Sequence, residues 1–141
     1  MFELDNARSI LVRTPSGGVD LDLMVSMTTT ASVIAHLARK LREYDIDAVV
    51  TWEGTDDVVV GFGLAQDLGT ERACVRDDMG KLLIAGPDLT DKRVAAVALT
   101  WSDQNGRDVL KTALTTAGAT VVAQAEAISQ ATLTALAEEP A

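Results

Sequence analysis

The sequence is poor in the residues on which nucleophilic catalysis, metal binding and covalent cross-links usually depend. Its 141 residues include one cysteine, Cys74, one histidine, His36, and three prolines. A single cysteine cannot form an internal disulfide, and in an apolar segment it is expected to be a small buried thiol. No group of His, Cys, Asp and Glu has a spacing typical of metal ligands, so no metal site is predicted.

Positive charge is also scarce. The 12 Lys and Arg are outnumbered by 21 Asp and Glu, which gives a formal net charge of -9. This charge disfavours nucleic acid as a partner. No apolar run is long enough to cross a membrane, and the first ten residues lack the layout of a signal peptide, so we expect a cytoplasmic protein without membrane contact. Hydrophobic residues make up 48% of the chain, as in one globular domain.

Turn residues divide the chain into short apolar runs. "SILVR" and "VDLDLM" flank Pro15-Ser16-Gly17-Gly18 and predict a β-hairpin, with Asp20 and Asp22 on one solvent-facing side. Residues 28–44 carry apolar side chains at helical spacing, which predicts an amphipathic helix. His36 falls on this helix outside the apolar stripe and is expected at the surface or at the boundary of the core.

The rest of the chain alternates between strand and helix patterns. "IDAVVTW" precedes a helix ending at Gly69, "ERACVR" and "LLIAG" flank a tight turn, and "KRVAAVALTW" precedes a helix ending at Gly118. "ATVVAQAEAI" is a further strand, followed by a last helix from Ser129 to Leu136. This order predicts an α/β fold with a doubly wound, mostly parallel sheet and ligand loops after Val50 and Leu99. We divide the single domain into a hairpin region (1–27), an α/β core (28–128) and a tail (129–141).

With this layout the chain resembles the type I phosphoribosyltransferases, and among them orotate phosphoribosyltransferase. The corresponding segments are "SGGVDLDL", "IDAVVTWEGTDD", "ACVRDDMGK", "DKRVAAVALTWSDQNGRDVL" and "AGATVVAQAEA". The resemblance implies that family's fold, glycosyl transfer from phosphoribosyl diphosphate (PRPP) with Mg²⁺, and a dimer.

The chemistry of that family is not reproduced. Its signature strand ends in two adjacent acidic residues that hold the ribose hydroxyls, whereas Thr100 and Trp101 stand near those positions here. Asp77 replaces the lysine expected after Arg76, and the mobile catalytic loop is reduced to about a turn. We therefore expect a non-catalytic binding, regulatory or accessory subunit. The alternative is an active transferase with a remodelled or partner-completed site and Mg²⁺ as the cofactor. In it, Asp103 and Arg107 replace the family's usual groups or a partner chain supplies them, and the candidate catalytic residues are Asp103 and Arg76.

Two loops are candidates for holding a phosphate. Residues from Ser102 and Asp103 through Gln104, Asn105 and Gly106 to Arg107 resemble the family's phosphate loop: Gly106 can take a positive φ, and a helix start offers N–H groups. The favoured alternative is a bare Asn-Gly turn without a ligand, in which Asp103 or Asn105 caps the following helix.

The other candidate, Glu53-Gly54-Thr55, stands at the diphosphate loop. It carries three carboxylates in five residues, which repel an anion, and Asp56 or Asp57 is expected to cap the following helix.

Trp52 and Trp101 each follow an apolar strand, and these strands are predicted to be neighbours. Both indoles are therefore expected at the mouth of the ligand cleft, where they either fill volume or stack on a flat ligand. The expected partners are a second copy or another protein, and a nucleotide or PRPP-like small molecule.

Overall fold

The fold begins with a short hairpin and continues as alternating strands and helices. A computed structural model describes residues 8–15, 19–101 and 104–138. The strands are β1 (Leu11–Arg13), β2 (Val19–Leu21), β3 (Ala48–Trp52), β4 (Glu71–Asp78), β5 (Lys81–Ala85), β6 (Arg93–Ala98) and β7 (Thr120–Glu126). The helices are α1 (Met27–Leu41), α2 (Thr55–Leu68), α3 (Gln104–Thr116) and α4 (Gln130–Ala137), and a 3₁₀ turn spans Leu23–Val25.

The main sheet has five strands in the order β5-β4-β3-β6-β7. Strands β4, β3, β6 and β7 run parallel, and β5 pairs antiparallel with β4 at one edge. From β3 the chain first adds β4 on one side and later β6 on the other, so the switch point lies where β3 and β6 end. The predicted doubly wound, mostly parallel sheet and the antiparallel pairing of β1 with β2 are confirmed.

Each face of the sheet carries its own apolar core. On one face, Val49, Ala95, Val97 and Leu99 join buried residues of the hairpin, α1, α2 and α4. On the other face, alternate strand residues such as Val50, Val75 and Ala96 join Leu110 and Leu114 of α3. The period of two along each strand therefore supplies both cores, as expected for strands covered on both sides.

Glycines end two of the helices as predicted. Gly69 has φ 70° after α2, and Gly118 has φ 90° after α3, both in the left-handed region that favours glycine. Ser26 caps the start of α1, where its hydroxyl accepts the backbone N–H of Thr29.

The last helix is held by a cap and by its apolar face. The Ser129 hydroxyl accepts the backbone N–H of Thr132, and Leu133 and Leu136 are buried in the core. In the described part of the chain, no helix has the length and hydropathy needed to span a membrane.

Candidate functional site

A cleft of about 310 Å³ opens at the switch point, on the sheet face that carries the hairpin and α2. Asp20 and Leu21 of the hairpin form one wall, residues 54–57 at the start of α2 form another, and Leu99 and Thr100 form the floor. The predicted ligand loops after β3 and β6 therefore lie together. None of the described residues that line the cleft is Lys or Arg.

Asp57 joins the two loops. Its Oδ1 accepts the backbone N–H of Leu99 at 2.9 Å. The expectation that Asp56 or Asp57 caps its own helix is wrong: the capping position is Gly54, and no side chain caps it. Asp57 is the third residue of α2, and its Oδ1 instead accepts the N–H of Leu99, which lies just past the end of β6 and needs an acceptor.

The environment of the cleft disfavours the charged form of two of its carboxylates, those of Asp56 and Asp57. Burial raises the pKa of Asp57, the hydrogen bond from Leu99 partly offsets this, and the charge of Asp56 raises it further. The pKa of Asp56 is raised by burial and then by the charges of Asp22 and Asp20, while a hydrogen bond from the Leu23 backbone lowers it. These four carboxylates thus interact across the hairpin and α2, which makes the cleft unfavourable for an anion.

The two tryptophans lie at the same sheet edge but pack on the opposite face. Trp101 is 8% exposed and belongs to the apolar core beneath α3, and Trp52 packs against that core while partly buried. The Trp52 Nε1–H donates to the Gly106 carbonyl at 3.2 Å, and the Trp101 backbone N–H donates to Glu126 Oε2 at 2.8 Å. This packing favours volume filling over stacking on a ligand in the cleft.

The candidate phosphate loop differs from its prediction. Ser102 and Asp103 lie outside the described residues, so their roles stay predictions. Gln104, Asn105 and Gly106 form the first turn of α3, and Gly106 is not among the residues with positive φ, so the predicted Asn-Gly turn is wrong. Both interpretations of this loop place the start of the helix at Gly106 or later, whereas α3 begins at Gln104.

The candidate basic residues are engaged in contacts away from the cleft lining. Arg107 Nε donates to Gln124 Oε1 of β7 at 3.0 Å. Arg76 Nε lies 2.7 Å from Glu53 Oε2, and their side chains are 53% and 47% exposed. The Glu53 contact raises the pKa of Arg76 above its usual value. Both guanidinium groups therefore already have an acceptor within the chain.

Gly54 and Thr55 do line the cleft, at the start of α2. A Cβ added at Gly54 would lie 3.5 Å from Asp57 Oδ2, so the second carboxylate oxygen lies over the glycine. Cys74, expected to be buried, is partly exposed, and its Sγ is 3.8 Å from Thr51 Oγ1.

The sequence analysis missed two contacts that shape the site: the bond from Leu99 to Asp57 and the bond from Trp101 to Glu126. Asp20 is exposed, as expected, and it also lines the cleft, the position that contact with a ligand or partner requires. The order of the strands in the sheet accounts for both contacts, because it brings the ends of β3, β6 and β7 side by side.

No family model and no curated protein sequence matches the chain. Solved structures do match it. An adenine phosphoribosyltransferase from Rhodothermus marinus has a TM-score of 0.76 at 18% identity, covering 99% of this chain and 93% of that one. The chain has the type I phosphoribosyltransferase fold.

Orotate phosphoribosyltransferases share this phosphoribosyltransferase fold. The Mycobacterium tuberculosis enzyme, in complex with inorganic phosphate, gives a TM-score of 0.70 at 18% identity, over 95% of this chain and 91% of that one. A phosphoribosyltransferase from Corynebacterium diphtheriae gives 0.69 at 18% identity, over 94% and 98%. The resemblance seen in the sequence is thus confirmed at the level of the fold.

Proposed function

We propose that this chain is a phosphoribosyltransferase-fold protein that does not transfer phosphoribosyl groups by itself and acts as a binding, regulatory or accessory subunit. The observation that carries the proposal is the Asp57 carboxylate, which takes the Leu99 N–H at the cleft floor. An internal carboxylate thus already accepts a backbone N–H group that could otherwise be offered to an anionic ligand.

Electrostatics support the proposal. A diphosphate placed in the cleft would face Asp56 and Asp57, and two like charges about 4 Å apart repel by about 4 kcal/mol near a protein surface. None of the described lining residues offsets that repulsion with a positive charge. Transfer from PRPP needs stabilisation of charge that develops on the leaving diphosphate, which is usually a large part of such catalysis.

The connection between β4 and β5 supports it as well. Met79 and Gly80 alone join these strands, with φ 54° and 85°, as in a two-residue type I′ turn. The predicted reduction of the mobile loop to a turn agrees with this geometry. A two-residue turn has no length with which to cover a ligand or to bring basic groups to a neighbouring subunit.

The proposal is tested by turnover. The full chain is incubated with PRPP, Mg²⁺ and a panel of acceptors that includes orotate and adenine, and release of diphosphate is followed. We expect none above the uncatalysed background. Diphosphate release that depends on both the chain and one acceptor would refute the proposal.

One observation favours a second candidate, a transferase completed by a partner. The Thr100 hydroxyl is buried at the cleft and has no hydrogen-bond partner among the described residues. A bound ligand could use this group. If this candidate holds, the chain isolated in complex from its native cells releases diphosphate from PRPP, the purified chain does not, and Thr100→Val lowers the activity of the complex. An inactive complex would exclude it.

A further inference from the structure

Three large apolar side chains are exposed close together in the chain, where the hairpin passes into α1. Met24, Val25 and Met27 are 72%, 55% and 79% exposed. Single exposed apolar residues are ordinary on protein surfaces, whereas grouped ones mark sites of contact. Among the side chains that the structure describes, no other four-residue stretch exposes more than one large apolar residue. We call these three residues the methionine turn.

The backbone of the methionine turn is held in place. Leu23 is buried in the core, and Asp22 Oδ1 accepts the backbone N–H of Met24 at 2.9 Å. Ser26 then caps α1 through its hydroxyl. The apolar side chains therefore project from a fixed backbone, and a preformed surface loses less conformational entropy when a partner binds.

Carboxylates surround the methionine turn. Asp20 and Asp22 precede it in the chain, and Asp56 of α2 accepts a hydrogen bond from the Leu23 backbone. Asp20 and Asp56 also line the cleft of about 310 Å³, so the cleft and the turn adjoin. The two strands of the hairpin carry one basic residue, Arg13. The exposed apolar group is thus bordered by negative charge that nearby cations only partly balance.

We propose that the methionine turn and the adjoining cleft bind a segment of another protein that carries basic side chains beside apolar ones. The apolar side chains of this segment cover the methionine turn, and a Lys or Arg side chain enters the cleft towards Asp20 and Asp56. Charge complementarity selects this class of partner. Methionine suits the contact, because its unbranched side chain adapts to the shape of what it meets. The inference rests on the proposed function, since it names the partner of a cleft that we propose takes no PRPP.

The polar groups of the cleft suit a cationic side chain. Asp57 adds a third carboxylate to those of Asp20 and Asp56. The Thr100 hydroxyl lies at the cleft and has no hydrogen-bond partner among the described residues. Ammonium and guanidinium groups are donors only, and carboxylate and hydroxyl oxygens accept from them. A cation in the cleft therefore gains both hydrogen bonds and attraction, whereas an anion meets repulsion.

Other occupants fit this surface less well. A second copy would bring the same carboxylates against each other, and the chain carries a formal net charge of -9. Nucleic acid and anionic lipid are repelled by the same charge. A basic segment of another protein is the occupant that both the apolar and the acidic parts of the surface attract.

The test begins with a selection that assumes no sequence for the partner. Random peptides displayed on phage are selected on the immobilised full chain, and the strongest binder is synthesised with a fluorophore for anisotropy titrations. We expect the selected peptides to combine Lys or Arg with large apolar residues. Their dissociation constants should be on the order of micromolar and should rise with added salt.

Two double variants remove the two parts of the surface separately. Met24→Ser with Met27→Ser removes apolar contact at exposed positions, and we expect at least about tenfold weaker binding. Asp20→Asn with Asp56→Asn keeps oxygen acceptors and removes two charges. We expect at least about tenfold weaker binding and a smaller salt dependence from this pair.

Matched controls make the same changes elsewhere. Met79→Ser replaces a methionine that is 100% exposed in the turn between β4 and β5. Glu43→Gln with Glu71→Gln removes two exposed charges at the opposite end of the sheet, after α1 and at the start of β4. Both controls should bind the peptide as the parent chain does.

Several results would overturn the proposal. These are a selection that enriches no peptide or enriches peptides without basic residues, and binding that survives both double variants. A dimer, or attachment to phosphatidylcholine vesicles, that is lost with Met24→Ser and Met27→Ser would overturn it too, because a second copy or a lipid surface would then be the occupant. Competition with PRPP and Mg²⁺ tests the proposed function separately: displacement of the peptide would contradict that function, whereas a chain that binds neither ligand contradicts this inference alone.

Discussion

The two faces of the sheet differ at the carboxyl ends of the parallel strands. On the α3 face, Trp52 and Trp101 fill the space past the strand ends, and Trp101 is almost fully buried. On the α2 face, the space remains open as a cleft lined by Asp20, Asp56 and Asp57. The strands supply both sides alike, so the difference arises from the residues at and just after the ends of β3 and β6 and from the hairpin.

This comparison separates fold from chemistry. On the aromatic face, the two indole rings fill the space past the strand ends, which any large apolar ring could do. Their packing contributes stability. The acidic face is open but carries uncompensated charge, which costs stability and sets what the cleft can hold. The fold is therefore kept on both faces, while the charges of Asp20, Asp56 and Asp57 make the open face unfavourable for an anion.

The largest expected effect is on the aromatic face. Trp101→Ala leaves a cavity in the core beneath α3 and should lower the free energy of unfolding by about 3–5 kcal/mol, measured by urea denaturation. Trp52→Ala is the matched control: its ring is only partly buried, so the loss should be clearly smaller. Equal losses for both variants would contradict the picture of one buried and one peripheral ring.

A smaller effect is expected on the acidic face. Asp57→Ala removes the acceptor of the Leu99 N–H, and an unpaired backbone group should cost about 1–3 kcal/mol of unfolding free energy. Asp57→Asn keeps an oxygen at that position and loses the buried charge, so its stability at pH 7 should match or exceed that of the parent chain. If Asn and Ala behave alike, the bond between the two loops is not important.

The pH dependence should differ between the faces. Because the folded chain raises the pKa values of Asp56 and Asp57 above the ordinary 3.8, it binds more protons than the unfolded chain just above that pH. Their contribution to stability is therefore present below pH about 3.8 and is lost as pH rises through the raised values. Asp56→Asn combined with Asp57→Asn should remove this decline, as measured by thermal unfolding at a series of pH values. Trp52→Phe should leave it unchanged.

The smallest effect is expected at the rim. Arg76 and Glu53 form an exposed ion pair, so Arg76→Ala should change the unfolding free energy by less than about 1 kcal/mol, and added salt should reduce the difference. Arg42→Ala, which removes the exposed contact to Asp67, is the control and should behave in the same way. A loss comparable to that of Asp57→Ala would show that Arg76 has a larger role than its geometry indicates.

Most of the fold could be predicted because apolar periodicity and glycine positions are local signals. The strands, the hairpin, and the helix ends at Gly69 and Gly118 all follow from such patterns. Gly106 shows the limit: Asn-Gly favours a turn locally, but α3 continues through it, and the carbonyl of Gly106 accepts the Trp52 indole from another strand.

The details of the site depended on contacts far apart in sequence. Asp57 bonds a residue 42 positions away, and Trp101 bonds one 25 positions away. Such partners are fixed by strand order and by the reach of each side chain. The three carboxylates that follow β3 in the sequence predict repulsion of anions, but the sequence does not indicate which of them is buried.

We propose that this cleft does not hold phosphoribosyl diphosphate. The most direct test is a calorimetric titration of the full chain with PRPP and Mg²⁺ at low ionic strength. We expect no saturable heat, because the carboxylates repel the ligand and Asp57 already accepts the Leu99 N–H. Saturable binding in the micromolar range that requires Mg²⁺ would contradict it.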